Sequence, residues 1–362
     1  MILIRTHRRF LLVPLFVLGL GWSYQRSVPT VVPVLTEEEQ RVVFRQPPWQ
    51  ARELAKRLPL DEPFPAKGPE MEKALARFGL DRDSPPFQIP NPARIVTDFY
   101  LVGQDHPNGN LTYLVDCGPE GVAIIDPSFE SQFDTTLAKI EQCGYSPKQI
   151  RWVINTHCHL DHAAADAKFR QLGAKILVHE ADADAVEKVT RITGYYQERE
   201  AKRPAEIRNT FPPCKVDHRL SDGEELELGN KLFHVIHTPG HTPGSVSFLV
   251  QIDGKNLLIS GDTVFYDRML GFQANPYADN RRYLASLEKL ERFALDAPVR
   301  WDVLLPGHGA IAMDKAYLDV QKCRENMAGD VAANREPAIG PHARPDYRRR
   351  MFGRPATKAA RQ

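Results

Sequence analysis

The six residues His157-Cys158-His159-Leu160-Asp161-His162 follow directly on an apolar run, Trp152-Val153-Ile154-Asn155. Three imidazoles and a carboxylate crowded at the end of a predicted strand are not core material, because each is costly to bury without a partner. Neutral imidazole and carboxylate oxygen are the usual ligands of Zn²⁺ and related first-row ions. On extended backbone His157 and His159 point to the same side, while Cys158 points away and reads as a structural residue. The chain then turns into a helical stretch, Ala163-Ala164-Ala165-Asp166-Ala167, which aims Asp161 and His162 at a second ion nearby. The bland alternative is a solvated, histidine-rich loop, and the ligands that follow downstream weigh against it.

Three later segments end in the same way. His241 lies in His237-Thr238-Pro239-Gly240-His241-Thr242-Pro243-Gly244, where two Pro-Gly pairs mark tight turns. Asp262 closes the apolar run Leu257-Leu258-Ile259-Ser260-Gly261, and His308 follows Val303-Leu304-Leu305-Pro306-Gly307. One histidine after a Pro-Gly turn is ordinarily a loop residue, but three strand ends of this kind form a pattern.

With these residues in place, positions 97–325 resemble the metallo-β-lactamase superfamily. The resemblance implies an α/β fold, the αββα sandwich of two mixed β-sheets with helices on the outer faces. It also implies a dinuclear site, with His157, His159 and His241 at the first metal and Asp161, His162 and His308 at the second. Asp262 would bridge the two. All seven positions hold a competent ligand. Two Zn²⁺ ions are the expected cofactors, and the same ligands also accept iron or manganese. Two close cations lower the pKa of a shared water and supply hydroxide at neutral pH. Asp161 is the expected catalytic carboxylate, orienting that hydroxide and later passing a proton to the leaving group. His237 and His179 are read as packing or supporting groups.

A chain of 362 residues with 42% apolar content can bury one large core plus appendages. A net charge of +1 and no basic stripe in the catalytic region exclude the electrostatic footprint of a nucleic-acid-cleaving relative. The expected partner is a small-molecule substrate. Five cysteines (117, 143, 158, 214 and 323) suggest no disulfide framework and contain no CxxC pair.

The predicted organisation has four parts. In residues 1–23, Arg5, His7, Arg8 and Arg9 precede an apolar run at 10–22 that is too short for a comfortable membrane span. This is the pattern of a signal peptide, implying export to the periplasm or outside the cell, with anchoring by residues 10–22 as the alternative. Residues 24–96 read as a Pro-rich arm with short helices near 36–44 and 70–78. Residues 97–326 form the catalytic body. Its predicted strands lie near 99–103, 110–116, 121–126, 175–178, 225–228, 231–237, 245–252, 256–260 and 299–305, and its helices near 133–143, 181–189 and 280–293. Residues 327–362, with seven arginines from Arg335 to Arg361, read as a basic, disordered tail.

Substrate is where the resemblance divides. Asp262-Thr263-Val264-Phe265 resembles the glyoxalase II branch, whose bridging aspartate sits in a similar Gly-Asp-Thr-x-Phe context. The stretches Phe211–Asp217, Ser221-Asp222-Gly223, Asn275-Pro276-Tyr277 and Arg281-Arg282-Tyr283 with Ser286 are closer to β-lactamases using histidines at both metals. In those enzymes a serine replaces Asp262. In the lactone hydrolases of the family a tyrosine stands where this chain has Phe265, beside Tyr266. The expectation is a dinuclear zinc hydrolase of a β-lactam, lactone, ester or thioester. Its rivals are a dedicated exported β-lactamase, a mononuclear iron persulfide dioxygenase and a non-catalytic metal-binding protein. His106, in a candidate flap at 104–109, and Tyr195, Tyr196, Tyr266 and Phe272 are the candidate substrate contacts. The oligomeric state leaves no mark in the sequence.

Overall fold

Strands buried on both faces need apolar side chains at successive positions, and period-two alternation then sends them to two different cores. The structure, a computed structural model, describes residues 43–45, 91–103, 110–193, 210–266 and 277–333. In the strand Val246–Ile252, Val246, Phe248, Val250 and Ile252 enter one apolar cluster and Leu249 enters another. Lys255–Gly261 sends Leu257 and Ile259 one way and Leu258 the other. Val122–Ile125 divides Ala123 and Ile125 from Val122 and Ile124 in the same manner.

Two seven-stranded sheets result among the described residues. One runs β2 (Ala93–Val96), β3 (Phe99–Leu101), β4 (Tyr113–Asp116), β5 (Val122–Ile125), β6 (Ile150–Ile154), β7 (Lys175–His179) and β8 (His218–Leu220), hydrogen-bonded in that order. The other places β1 (Val43–Arg45) beside β14 (Ala310–Ala312), followed by β13 (Val303–Pro306), β12 (Lys255–Gly261), β11 (Val246–Ile252), β10 (Lys231–His237) and β9 (Glu225–Leu228). The inner faces share a core that includes Phe99, Tyr113 and Ile154 from one sheet and Phe233, Phe248 and Leu305 from the other.

Helices cover both outer faces. α1 (Phe133–Gln142), α2 (Leu160–Ala163), α3 (Asp166–Gln171) and α4 (Glu180–Lys188) supply Ile140, Leu160, Phe169 and Val186 to the cluster on the first sheet. α5 (Asn280–Glu291) and α6 (Tyr317–Ala332) supply Leu287, Leu290, Val320, Cys323 and Met327 to the cluster on the second. This is the expected αββα sandwich. Among the described residues no helix is long and apolar enough to cross a membrane.

Topology gathers one set of strand ends. β5 and β6 are parallel, so Asp126 and His157 leave from the same edge. β12 and β13 are also parallel, and β10, antiparallel to β11 as β12 is, runs in their direction. The segments following β6, β10, β12 and β13 therefore emerge together. Across the gap between the sheets, the Val246 N–H donates to Thr156 O at 2.8 Å.

The structure departs from the sequence reading in several places. Val43 and Phe44, expected at the end of a helix, lie in β1 and pair with Ile311 and Ala312. That partner lies too far along the chain for local periodicity to reveal it. The sheet begins at Ala93, before the boundary read at residue 97, and α6 continues through Ala332, past the boundary read at 326. The last predicted strand starts only at Val303. Trp301 instead donates its indole N–H to Leu290 O at 2.8 Å and caps the end of α5. The strands β8 and β14 and the helix α6 have no counterpart among the predicted elements. The helix expected at 70–78 and the segment 1–23 lie outside the described residues.

α5 is fixed at its start by Asp279, whose Oδ1 accepts the N–H groups of Arg281 and Arg282 at 3.0 Å. Asp279→Ala removes this cap and is expected to cost about 1 kcal/mol, read as a lower midpoint in chemical denaturation. An unchanged midpoint would show that packing alone sets this terminus.

Candidate metal centre

The end of β6 presents its residues as the alternation requires. His157 and His159 face one side, with His157 Nε2 and His159 Nδ1 3.2 Å apart and their rings 4.7 Å apart. Cys158 points the other way, into the cluster beneath α1–α4, and burial pushes its thiol well above the usual range. The turn after β10 brings His241 to the same place, with its ring 4.7 Å from His157 and 4.5 Å from His159. One donor atom from each of these three lies within 4.8 Å of the others.

A second group forms beside the first. The single turn of α2 holds Asp161 and His162, and the Pro306-Gly307 step after β13 delivers His308. His162 Nε2 and His308 Nε2 are 3.2 Å apart, and Asp161 Oδ2 is 3.5 Å from His308 Nε2. The group needs glycine at 307, since a Cβ there would lie 2.4 Å from Asp262 Oδ1 and 2.8 Å from the His162 ring.

Asp262 joins the halves. Its Oδ2 lies 3.3 Å from His241 Nε2, and its Oδ1 lies 3.5 Å from both His162 Nε2 and His308 Nε2. One carboxylate oxygen thus faces each group. All seven residues are at most 8% exposed, and the buried Nε2 of His159 has no hydrogen-bond partner. A pocket of converging nitrogen and oxygen donors, one of them orphaned, fits a bound cation.

The two groups differ electrostatically. Burial, followed by neighbouring imidazoles, holds His157 well below its ordinary pKa, and burial with His241 lowers His159 to about 3. At His162 burial also pulls down, but Asp262, Asp126 and Asp161 outweigh it and raise the ring to about 10. His308 is raised by Asp262 in the same contest with burial. Asp161 and Asp262 are held below the usual carboxylate range, because His162 and His308 outweigh their burial.

Several supporting residues escaped the sequence reading. Asp126, at the end of β5, accepts the Thr156 N–H and hydroxyl, both at 2.7 Å, and faces His162 Nδ1 at 2.9 Å. Accepting the hydrogen bond of Nδ1–H directs His162 Nε2 toward the centre. Asp126 holds a left-handed φ of 51°, which costs a non-glycine residue about 1–2 kcal/mol. The one signal in the sequence is an acid closing the apolar run Val122-Ala123-Ile124-Ile125, the same layout that marks Asp262. Asn110 donates from Nδ2 to Asp161 O at 2.6 Å and bridges to the His308 backbone. Tyr283 and Ser286, read only as part of a lactamase-like stretch, brace the ligand loops. The Tyr283 hydroxyl donates to Thr263 O at 2.7 Å, and the Ser286 hydroxyl to Pro239 O at 2.7 Å.

His179 and His237 stack at 4.0 Å, and His237 Nε2–H donates to Pro243 O at 2.8 Å in the His241 turn. They act as supports, as the sequence reading has them. Tyr266 packs against the cluster beneath α5 and α6, whereas Phe265 is the ring that stacks on His308, 6.3 Å between centroids. Burial of Val264 beneath the helices sets which neighbour faces which way. His106, Tyr195, Tyr196 and Phe272 lie outside the described residues, as does the candidate flap at 104–109.

Known proteins place this arrangement. Residues 107–308 match the sequence profile of the metallo-beta-lactamase superfamily. A probable metallo-hydrolase of Methanocaldococcus jannaschii is 33% identical over 200 residues, covering 54% of this chain and 85% of its own length. A hydroxyacylglutathione hydrolase of Anaeromyxobacter dehalogenans is 33% identical over 158 residues, 43% of this chain and 47% of its own. The chain thus spans most of one relative and about half of the other. Among solved structures, a HARLDQ-motif mutant of a metallo-beta-lactamase from Cronobacter sakazakii superposes with a TM-score of 0.51 at 25% identity, over 68% of this chain and 99% of that one.

The charge pattern makes metal uptake pH-dependent. His162, raised to about 10, carries a proton near neutral pH that an incoming cation must displace. Zinc affinity is therefore expected to rise with pH up to about 10, with net proton release. Calorimetric titration in buffers of differing ionisation enthalpy counts those protons, and heats independent of buffer would contradict the assignment.

Proposed function

The chain belongs to the metallo-β-lactamase superfamily and is a metal-dependent hydrolase; from that premise we propose that it holds two zinc ions and hydrolyses a small acyl substrate. The observation that supports a two-metal site is Asp262, with one carboxylate oxygen toward His241 and the other toward His162 and His308. His157, His159 and His241 would hold the first ion, and Asp161, His162 and His308 the second. Zinc bound there would lower the pKa of a coordinated water to near neutrality and polarise a carbonyl group.

The chain's own residues do the rest. Asp126 fixes the His162 tautomer through Nδ1, so that Nε2 is a lone-pair donor to the centre. Asn110 ties the Asp161 backbone in place. The Asp161 carboxylate, whose Oδ1 is 3.9 Å from His162 Nε2, takes the proton of the attacking water at Oδ1 and returns it to the leaving group. Phe265, buried beside His308 with ring centroids 6.3 Å apart, backs that ligand with an apolar ring.

Among acyl substrates we propose a thioester first. The Gly261-Asp262-Thr263-Val264-Phe265 context favours it, as does likeness to a hydroxyacylglutathione hydrolase. A β-lactam is the second reading, supported by the likeness to the Cronobacter enzyme. Export, or anchoring through residues 10–22, belongs to the same proposal, since the basic start and short apolar run resemble a signal segment.

Metal analysis with a substrate panel tests this: a glutathione thioester, a chromogenic cephalosporin, a homoserine lactone and an aryl ester. Two zinc ions with thioester cleavage is the expected result. One iron per chain with oxygen consumption would replace this reading with a dioxygenase. Asp161→Asn is expected to lower kcat about a hundredfold to ten-thousandfold with the fold intact by circular dichroism. Undiminished turnover would show that Asp161 does not carry the proton.

A further inference from the structure

The first imidazole group is assembled from two separate segments. His157 and His159 leave β6, and His241 lies in the turn after β10. Between the two segments sits Asp182, in the first turn of α4, with no exposed surface. Its Oδ2 accepts the backbone N–H of Cys158 at 3.0 Å, and Cys158 is the residue between His157 and His159. The same Oδ2 accepts the Thr242 hydroxyl at 2.6 Å, and Thr242 adjoins His241. Its Oδ1 accepts the backbone N–H of Gly244 at 2.7 Å.

The fit on the His241 side is close. A Cβ at Gly244 would lie 2.5 Å from Asp182 Cγ, so glycine is what lets the carboxylate seat against the turn. The N-terminal turn of α4 favours a negative charge at this position. Donors from both ligand segments converge on one carboxylate, and each belongs to a residue adjoining, or a few positions from, a ligand histidine. The placement is that of a group controlling the distance between two ligand sets.

We propose that Asp182 is a positioning residue that fixes His157 and His159 relative to His241, and thereby sets the affinity of the first metal group. The inference rests on the reading of the site as a metal centre. A carboxylate that only stabilised the fold would affect both metal groups alike; one that sets this spacing affects the first group selectively.

Full-length, metal-free protein titrated with zinc against a chromophoric chelator resolves the two equivalents, and His241→Ala identifies the one held by the first group. Asp182→Asn keeps the size but turns an acceptor into an N–H donor facing other donors. That equivalent is expected to weaken about tenfold to a hundredfold, while the other stays within about twofold. Thr242→Val removes the hydroxyl's bonds to Asp182 and to Ser245 Oγ, leaves the other two bonds to Asp182 in place, and is expected to weaken the same equivalent by less, with Thr242→Ser restoring it. The cobalt(II) absorption of that equivalent should move in Asp182→Asn and Thr242→Val but not in Thr242→Ser. Unchanged affinity and spectrum in Asp182→Asn and Thr242→Val would overturn the inference. So would equal weakening of both equivalents in step with a lower melting temperature. If Asp182→Asn does not fold, the Thr242 pair decides alone. A wild-type chain that takes up no zinc would overturn the reading of the site and this inference with it.

Discussion

The carboxylate of Asp262, buried among the imidazoles of His162, His241 and His308, is the contact on which the rest of this structure depends. A pocket that holds five histidines and two aspartates out of water is an electrostatic liability, because desolvating each charge costs several kcal/mol unless a partner is close (roughly, for an ion in a protein interior). The protein resolves the conflict unevenly. Burial holds His157 and His159 low, while the facing carboxylates raise His162 to about 10 and move His308 upward as well. In the first group imidazole faces mainly imidazole, and in the second imidazole faces carboxylate. Asp262 belongs to both, so the state of one group is felt by the other.

Side chains that repel or desolvate one another cannot hold themselves in place, and the framework around them must. Each ligand-bearing segment is gripped by a buried polar group from a different element. Asp126, at the end of β5, holds Thr156 and His162. Asn110 holds Asp161, Tyr283 in α5 holds the backbone at Asp262 and Thr263, and Asp182 in α4 holds both halves of the first group. The parallel pairings β5–β6 and β12–β13 put these segments at one edge, and the outer helices supply two of the groups that fix them, Tyr283 and Asp182. The sandwich therefore does more than enclose a core. It aims residues from distant parts of the chain at a point that none of them would favour alone.

The ligands could be read from the sequence because each ligand-bearing segment follows a strand-like run, a local pattern that needs no tertiary information. The strands could be read for the same reason: Val246–Ile252 and Lys255–Gly261 are apolar at successive positions because both faces are covered. What escaped depends on distance along the chain. β1 exists only through its pairing with Ala310–Ala312. α6 buries Asp319 and Asp330 beside Val320, Cys323 and Met327, so its buried face is not an apolar stripe. Asp182 sits in a sequence rich in acid, Glu180-Ala181-Asp182-Ala183-Asp184, where Asp184 is exposed and pairs with Lys188 and Arg219. Only the fold tells the two aspartates apart.

The same division between local and distant information applies to substrate. The ligand set determines which bonds can be polarised, but selectivity comes from the walls, and the described wall nearest the centre is Phe265 on His308. Phe265 is buried and its phenyl ring offers no hydrogen bond to a charge developing on a substrate oxygen. Stabilisation of that charge is worth several kcal/mol when a donor is preorganised (about 3–4 for a single one). Without a donor from residue 265, that stabilisation has to come from elsewhere in the site, and a good leaving group lowers the demand. A thiolate, less basic than an alkoxide, asks less of the site in the second half of the reaction than the alkoxide of a ring-opened lactone. That difference in leaving group is what makes an acyl group carried on sulfur the first substrate proposed.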